Sequence, residues 1–227
     1  MGTAKDVIAE IKSLSSSKKA KDFQRFFKTG PGQYAEGDIF LGVMVPQTRR
    51  IAKRYAVLPL AEIKKLTESD FHEVRFCGLL ILVSQFEKSK TKEIRKKLFD
   101  FYMKQLKTGF INNWDLVDVT GVRMGTYLTT EKSALKTLKE MAKSKNLWER
   151  RMAVIFTFAF QKVGDPYPTL EMADLLMKMP IPYEPKRQNR FILRFPSTLG
   201  INEWFVESTA RPHITIAPTE IQFLNTS

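Results

Sequence analysis

Glu73-Val74-Arg75-Phe76-Cys77-Gly78-Leu79-Leu80 and Glu149-Arg150-Arg151-Met152-Ala153-Val154-Ile155 share a Glu-x-Arg start followed by a small residue and an apolar run. Their first residues stand 76 positions apart, which is twice 38. A helix pair that recurs at about 40 residues cannot bury its apolar face alone and stacks on the next pair, so the echo predicts an array of stacked helices. It also places Arg75 and Arg151 at equivalent positions.

The segments around this echo read as helices. Val7, Ile8, Ile11 and Leu14 recur at three- and four-residue steps, the stripe of an amphipathic helix over Ala4 to Leu14. Pro46 suits the first turn of a helix over Gln47 to Val57, and Pro59 ends it. Further helices are predicted at Leu60 to Leu66, Asp70 to Phe86, Lys92 to Leu106, Asn113 to Leu128, Glu131 to Lys143, Leu147 to Val163 and Thr169 to Lys178. The expected fold is all-α, a HEAT-like (ARM-type) solenoid with a concave basic face over residues 1–179. Residues 180–227 differ in kind. They hold six of the chain's 11 prolines, and their apolar residues lack a helical period. Phe191 to Phe195 and Ile214 to Ala217 suggest short strands, but each is flanked by proline, and an irregular C-terminal tail is the other reading.

Composition narrows the function classes. With 37 Lys+Arg against 24 Asp+Glu the chain carries +13 at pH 7, yet 43% of its 227 residues are hydrophobic, which excludes a disordered chain. Cys77 is the single cysteine, so no intrachain disulfide and no cysteine-based metal cluster can form, and a reducing cytoplasm is the expected setting. Its apolar run is shorter than the roughly 18 residues a membrane span needs, and the N-terminus is charged and amphipathic instead of presenting an apolar signal core. A soluble, unprocessed, cytoplasmic protein is expected. The positive surplus suits polyanions, and equally an acidic protein partner.

Catalytic patterns are few. His72 at a helix start and His213 in the tail have no second histidine at ligand spacing, so a metal site is not expected and both read as surface or capping residues. No Gly-x-Ser-x-Gly elbow exists, and Cys77 reads as a packed thiol. The glycine-rich stretch at residues 30–37 lacks the Lys-Ser/Thr of a phosphate cradle and reads as a connector.

Phe110-Ile111-Asn112-Asn113-Trp114-Asp115-Leu116-Val117-Asp118 is the informative segment. Trp114 and Asp118 share a helical face that Gly121 and Gly125 continue, which predicts an open surface where a flat or cationic group approaches a ring and a carboxylate. The alternative packs Trp114 on the neighbouring helix, with Asp118 capping or pairing with a lysine. Asp115 suits the helix dipole. Arg49, Arg50, Lys53 and Arg54 on one helix, and Lys88, Lys90, Lys92, Arg95, Lys96 and Lys97 near the start of another, read singly as solvated faces; lining one trough, such helices match a duplex backbone.

Phe26-Phe27-Lys28-Thr29-Gly30-Pro31-Gly32-Gln33-Tyr34, Gly37 to Val43, Pro46 to Lys53, Glu73-Val74-Arg75, Asn113 to Asp118 and Leu147-Trp148-Glu149-Arg150-Arg151 occur in an order and spacing that closely resembles the DNA alkylation repair (AlkD-like) family, from about residue 5 to residue 178. The resemblance implies a monofunctional, cofactor-free and metal-free glycosylase that holds double-stranded DNA and excises cationic alkylated purines such as N3-methyladenine and N7-methylguanine; a monomer is expected. It further implies that Trp114 packs against the lesion's sugar, that Asp118 is the essential carboxylate, and that Arg151 grips phosphate, with Arg150 the alternative. Arg49, Arg50, Lys53, Arg75 and Arg150 are the accompanying candidates for DNA contact. One departure stands out: the family's later helix with a Lys-Ala-Ile-Gly-Trp-like segment has no counterpart, and Trp204 sits in a different context. A non-catalytic DNA-binding solenoid and a scaffold for an acidic protein are the competing readings.

Overall fold

A computed structural model describes residues 2–178, 190–197 and 200–207. The chain divides into two compact units, Met1–Leu176 and Met177–Ser227. The helices run α1 (Ala4–Ser13), α2 (Ser17–Phe26), α3 (Val45–Arg54), α4 (Leu60–Thr67), α5 (His72–Lys88), α6 (Lys92–Lys107), α7 (Trp114–Gly125), α8 (Ala134–Ala142), α9 (Leu147–Lys162) and α10 (Tyr167–Lys178). A short 3₁₀ turn, Leu128–Thr130, follows α7.

Local chemistry sets the helix ends. Thr3 and Asp6 form a reciprocal cap on α1: the Asp6 amide donates to Thr3 Oγ1 at 3.3 Å and the Thr3 amide donates to Asp6 Oδ2 at 2.7 Å. Val7 and Ile11 of the expected stripe are buried, whereas Leu14 is exposed. Pro46 occupies the first turn of α3, where its missing N–H costs nothing.

The helices stack in alternation. α3, α5, α7 and α9 lie side by side as one row; α4 packs on α5 and α1, α6 packs on α5 and α9, and α8 packs on α9. α5 is the centre of this all-α repeat fold. Thirteen of its 17 residues are buried, Cys77 among them, so it is covered on every side over most of its length and not amphipathic. Burial pushes the Cys77 thiol pKa up to about 12, which leaves it an inert packing group.

The connection from α2 to α3 crosses the starts of three row helices. Phe27 stacks on Trp114 of α7, Tyr34 meets Trp148 of α9 edge-on at 5.9 Å, and the His72 amide at the start of α5 donates to the Ile39 carbonyl at 2.9 Å. Gly42 closes it. Its φ is +79°, and a Cβ there would stand 2.3 Å from the Ser16 carbonyl oxygen. Within the glycine-rich stretch at residues 30–37, Tyr34 makes one of these contacts.

In the second unit, β1 (Arg190–Ser197) and β2 (Gly200–Glu207) pair antiparallel, with Arg190 opposite Glu207 and Ser197 opposite Gly200. Two runs rich in aromatic and branched residues pair here, as the strand reading of Phe191 to Phe195 requires. The suggested strand Phe191 to Phe195 lies within β1, while Ile214 to Ala217 lies outside the described residues.

Candidate active site

Asp118 and Arg151 are both the fifth residue of a row helix, α7 and α9 respectively. The guanidinium grips the carboxylate with two hydrogen bonds, Nε to Oδ1 at 2.8 Å and Nη2 to Oδ2 at 2.6 Å. Both side chains remain about a third exposed, at 32% and 30%. A carboxylate offers about four lone-pair sites, so the pair leaves Asp118 acceptor capacity toward solvent. Trp114, the first residue of α7, is half-buried, with its ring stacked on Phe27 at 5.5 Å and 21° and edge-on to the exposed Phe26 at 6.1 Å.

Close approach of α7 and α9 makes that ion pair. A Cβ on Gly121 would fall 2.6 Å from Ile155 Cγ2 and 2.8 Å from Met152 Sδ, and one on Gly125 would fall 3.0 Å from the Phe156 Cα and carbonyl oxygen. The face predicted to lie open beyond Asp118 is thus filled by α9. Helical periodicity identifies which residues share a face but not what covers it.

The arginine assignments also change. Ser69 Oγ accepts the Phe71 amide at 3.2 Å, and Ser144 Oγ accepts the Asn146 amide at 3.1 Å, in the turns that lead into α5 and α9. Arg75 Nη1 then donates to the carbonyls of Ser69 and Asp70, and Arg150 Nη1 to those of Ser144 and Lys145. The true repeat register is one residue shorter than the sequence echo, and the counterpart of Arg75 is Arg150, not Arg151. Arg75 is buried at 4% exposure and donates through Nη2 to Asp38 and Asn112, so it cannot serve as the phosphate contact expected of it. Arg150 is half-buried and braces its own turn. Only Arg151 reaches Asp118.

Beneath Trp114 lies a buried polar cluster that periodicity does not reveal. His72 places Nδ1 3.0 Å from Asp38 Oδ2 and Nε2 2.8 Å from Asp115 Oδ2, and Asn113 Nδ2 donates to Asp38 Oδ2 at 3.2 Å. His72 is 3% exposed, which corrects its reading as a surface or capping residue. Burial works against the Asp38 carboxylate, but hydrogen bonds and charge from His72 and Arg75 outweigh it and hold its pKa at about 2. Glu73, next on α5, accepts the amides of Leu41, Gly42 and Val43 at 2.9, 2.8 and 3.1 Å. Asp115 is accordingly a tertiary link as well as a first-turn acid.

Basic residues sort by the same test. Arg49 is the fifth residue of α3. With Lys53 and Lys88 it borders a shallow groove floored by Ala52, Ala56 and Leu80 between α3 and α5. Arg50 is exposed on α3, and Arg54 pairs with Glu10. Among the other cations, Lys92 pairs with Glu131, Lys96 pairs with Asp100, and Arg95 lies over the Phe86 ring at 4.0 Å. Among the described residues no group of three or more His, Cys, Asp or Glu could hold a metal ion, and no helix is long and apolar enough to cross a membrane.

Comparison with known proteins bears on the fold and the family. No curated protein matches the chain. Among solved structures, a predicted DNA alkylation repair enzyme from Enterococcus faecalis superposes with a TM-score of 0.52 and 14% identity, covering 71% of this chain and 73% of that one, a likeness of fold. The sequence profile of the DNA alkylation repair enzyme family matches residues 7–180. The match takes in every helix of the row and the whole Trp114 to Arg151 site, and the chain therefore belongs to the DNA alkylation repair enzyme family.

Proposed function

We propose that this protein is a monomeric, cytoplasmic DNA glycosylase that releases cationic N-alkylated purines, such as N3-methyladenine and N7-methylguanine, from duplex DNA. The observation that carries the reading is a solvent-accessible carboxylate, Asp118, one helical turn from an indole, Trp114, and gripped by Arg151 of the next row helix. An alkylated purine is already a good leaving group, so its departure needs no general acid; the barrier lies in the cationic deoxyribose left behind. Asp118 stabilises that charge and orients the attacking water, while Trp114 offers its ring face to it. Arg151 serves two states. In the free protein it neutralises Asp118, and on the duplex its guanidinium has the geometry to take a phosphate, which increases the carboxylate's field at the sugar. Arg49, Lys53 and Lys88 hold backbone further along the row.

The test is release of 7-methylguanine from methylated duplex. Wild-type protein is expected to release it, and Asp118→Asn to lose about 100- to 1,000-fold in rate while still binding duplex. Full activity in that variant removes the mechanism. A second reading, DNA binding without excision, draws on the same ion pair, since a carboxylate that accepts two guanidinium hydrogen bonds has its charge already matched within the protein. Salt-sensitive duplex binding with no base release selects it.

A further inference from the structure

His72 is held in a way that dictates its charge. Each ring nitrogen faces a carboxylate oxygen, Asp38 Oδ2 at 3.0 Å and Asp115 Oδ2 at 2.8 Å. A neutral imidazole has one N–H, so its other nitrogen would meet a carboxylate lone pair to lone pair. Both contacts are hydrogen bonds only in the imidazolium. Charge counting agrees: Asp38 and Asp115 against Arg75 leave one enclosed negative charge, which a protonated His72 cancels.

The cluster also joins three parts of the molecule. Asp38 comes from the α2–α3 connection, His72 and Arg75 from α5, and Asp115 from the first turn of α7, between Trp114 and Asp118. Aromatic rings make the same link. Phe40 stacks on the imidazole at 4.4 Å, Phe27 lies 5.3 Å from it, and Phe27 stacks in turn on Trp114.

We propose that His72 is a positioning residue for the reacting site: its imidazolium ties the Asp38 connection and α5 to the first turn of α7, and so fixes where Trp114 and Asp118 stand. The groups that face it are Asp38, Asp115 and, across Asp38, Arg75, together with the uncharged Asn113, Phe27 and Phe40; Glu73 turns instead to the amides of residues 41–43. Burial disfavours the charged ring, but the two carboxylates outweigh it and raise the pKa to about 9. The tie holds through neutral pH and fails when the proton leaves.

The catalytic consequence rests on the glycosylase reading; the ionisation does not. The chain has two histidines, so His213→Gln leaves His72 as the sole imidazole signal in nitrogen-edited NMR of the full-length protein. The expected result is an imidazolium with both ring N–H groups at pH 7, deprotonating near 9, with the Trp114 indole N–H resonance, identified by its loss in Trp114→Phe, moving at the same midpoint. Asp115→Asn keeps a hydrogen-bonding amide and the fold; it is expected to lower that midpoint and to reduce kcat for base release about 10- to 100-fold with little change in KM. A singly protonated ring at pH 7, or a Trp114 signal unmoved between pH 7 and 10, overturns the proposal. Unchanged kcat in Asp115→Asn does the same. Absence of base release by the wild-type protein instead defeats the glycosylase reading, and the NMR arms still decide the role of His72.

Discussion

Two aspartate–arginine pairs each draw their arginine from the same helical row and do opposite work. Asp38 and Arg75 are sealed, their side chains 1% and 5% exposed, whereas Asp118 and Arg151 are about a third open to solvent. The chemistry is the same, and surroundings decide its use. A sealed pair that loses one partner strands a charge in low dielectric, so it behaves as architecture. An open pair is screened, contributes little to stability, and exchanges partners easily when a phosphate or a cation arrives.

Removing one partner of the sealed pair is the strongest way to test this contrast. Asp38→Ala leaves His72 and Arg75 facing a single carboxylate and is expected to cost about 3–5 kcal/mol in urea unfolding. A loss below about 1 kcal/mol would show that water reaches the cluster.

The pH dependence of stability sharpens the same point. His72 has its pKa raised from 6.5 to about 9, so its contribution is complete below about 6.5 and disappears as pH rises through 9. Asp38 has its pKa lowered from 3.8 to about 2, so its contribution is complete above 3.8 and disappears as pH falls through 2. Melting temperatures should therefore be highest between about pH 4 and 6.5 and fall on both sides, and Asp38→Ala should flatten the alkaline limb.

Gly125→Ala probes the spacing that lets the open pair form. Its Cβ would stand 3.0 Å from backbone atoms of Phe156, so α7 and α9 must separate by a few tenths of an ångström. The expected cost is about 1–3 kcal/mol in stability, with a larger fall in base release than Asp118-independent unfolding explains at the assay temperature. Asp118→Asn is the counterpart for the open pair: thermal unfolding should move by less than about 1 kcal/mol although base release collapses. The smallest effect on the fold belongs to Arg49→Ala with Lys53→Ala. Stability should be unchanged, while the dependence of duplex affinity on salt weakens by a slope of about 2.

Much of this site is local and therefore readable. Asn113 caps α7, Trp114 and Asp118 follow at helical spacing, and Leu147 to Arg151 opens the next row helix, all within single turns. The repeat was legible in period but not in register. The Arg150-Arg151 doublet lets a Glu-x-Arg match slip by one residue, and only the serine turns at Ser69 and Ser144 show that Arg150, not Arg151, is the counterpart of Arg75. His72 escaped because its partners lie 34 and 43 positions away in sequence, a distance over which helical periodicity carries no information.

From the order of residues alone follow the helices, their approximate period, the alkylation-repair resemblance and the pairing of an indole with a carboxylate on one face. These depend on backbone hydrogen bonds and side-chain spacing within a turn or two. Packing decided the rest: that glycines 121 and 125 are filled by α9, that Arg75 is sealed while Arg151 is open, and that a histidine at a helix start is clasped between two aspartates. Burial and partner choice arise when distant segments exclude water from one another, and that exclusion exists only once the chain has folded.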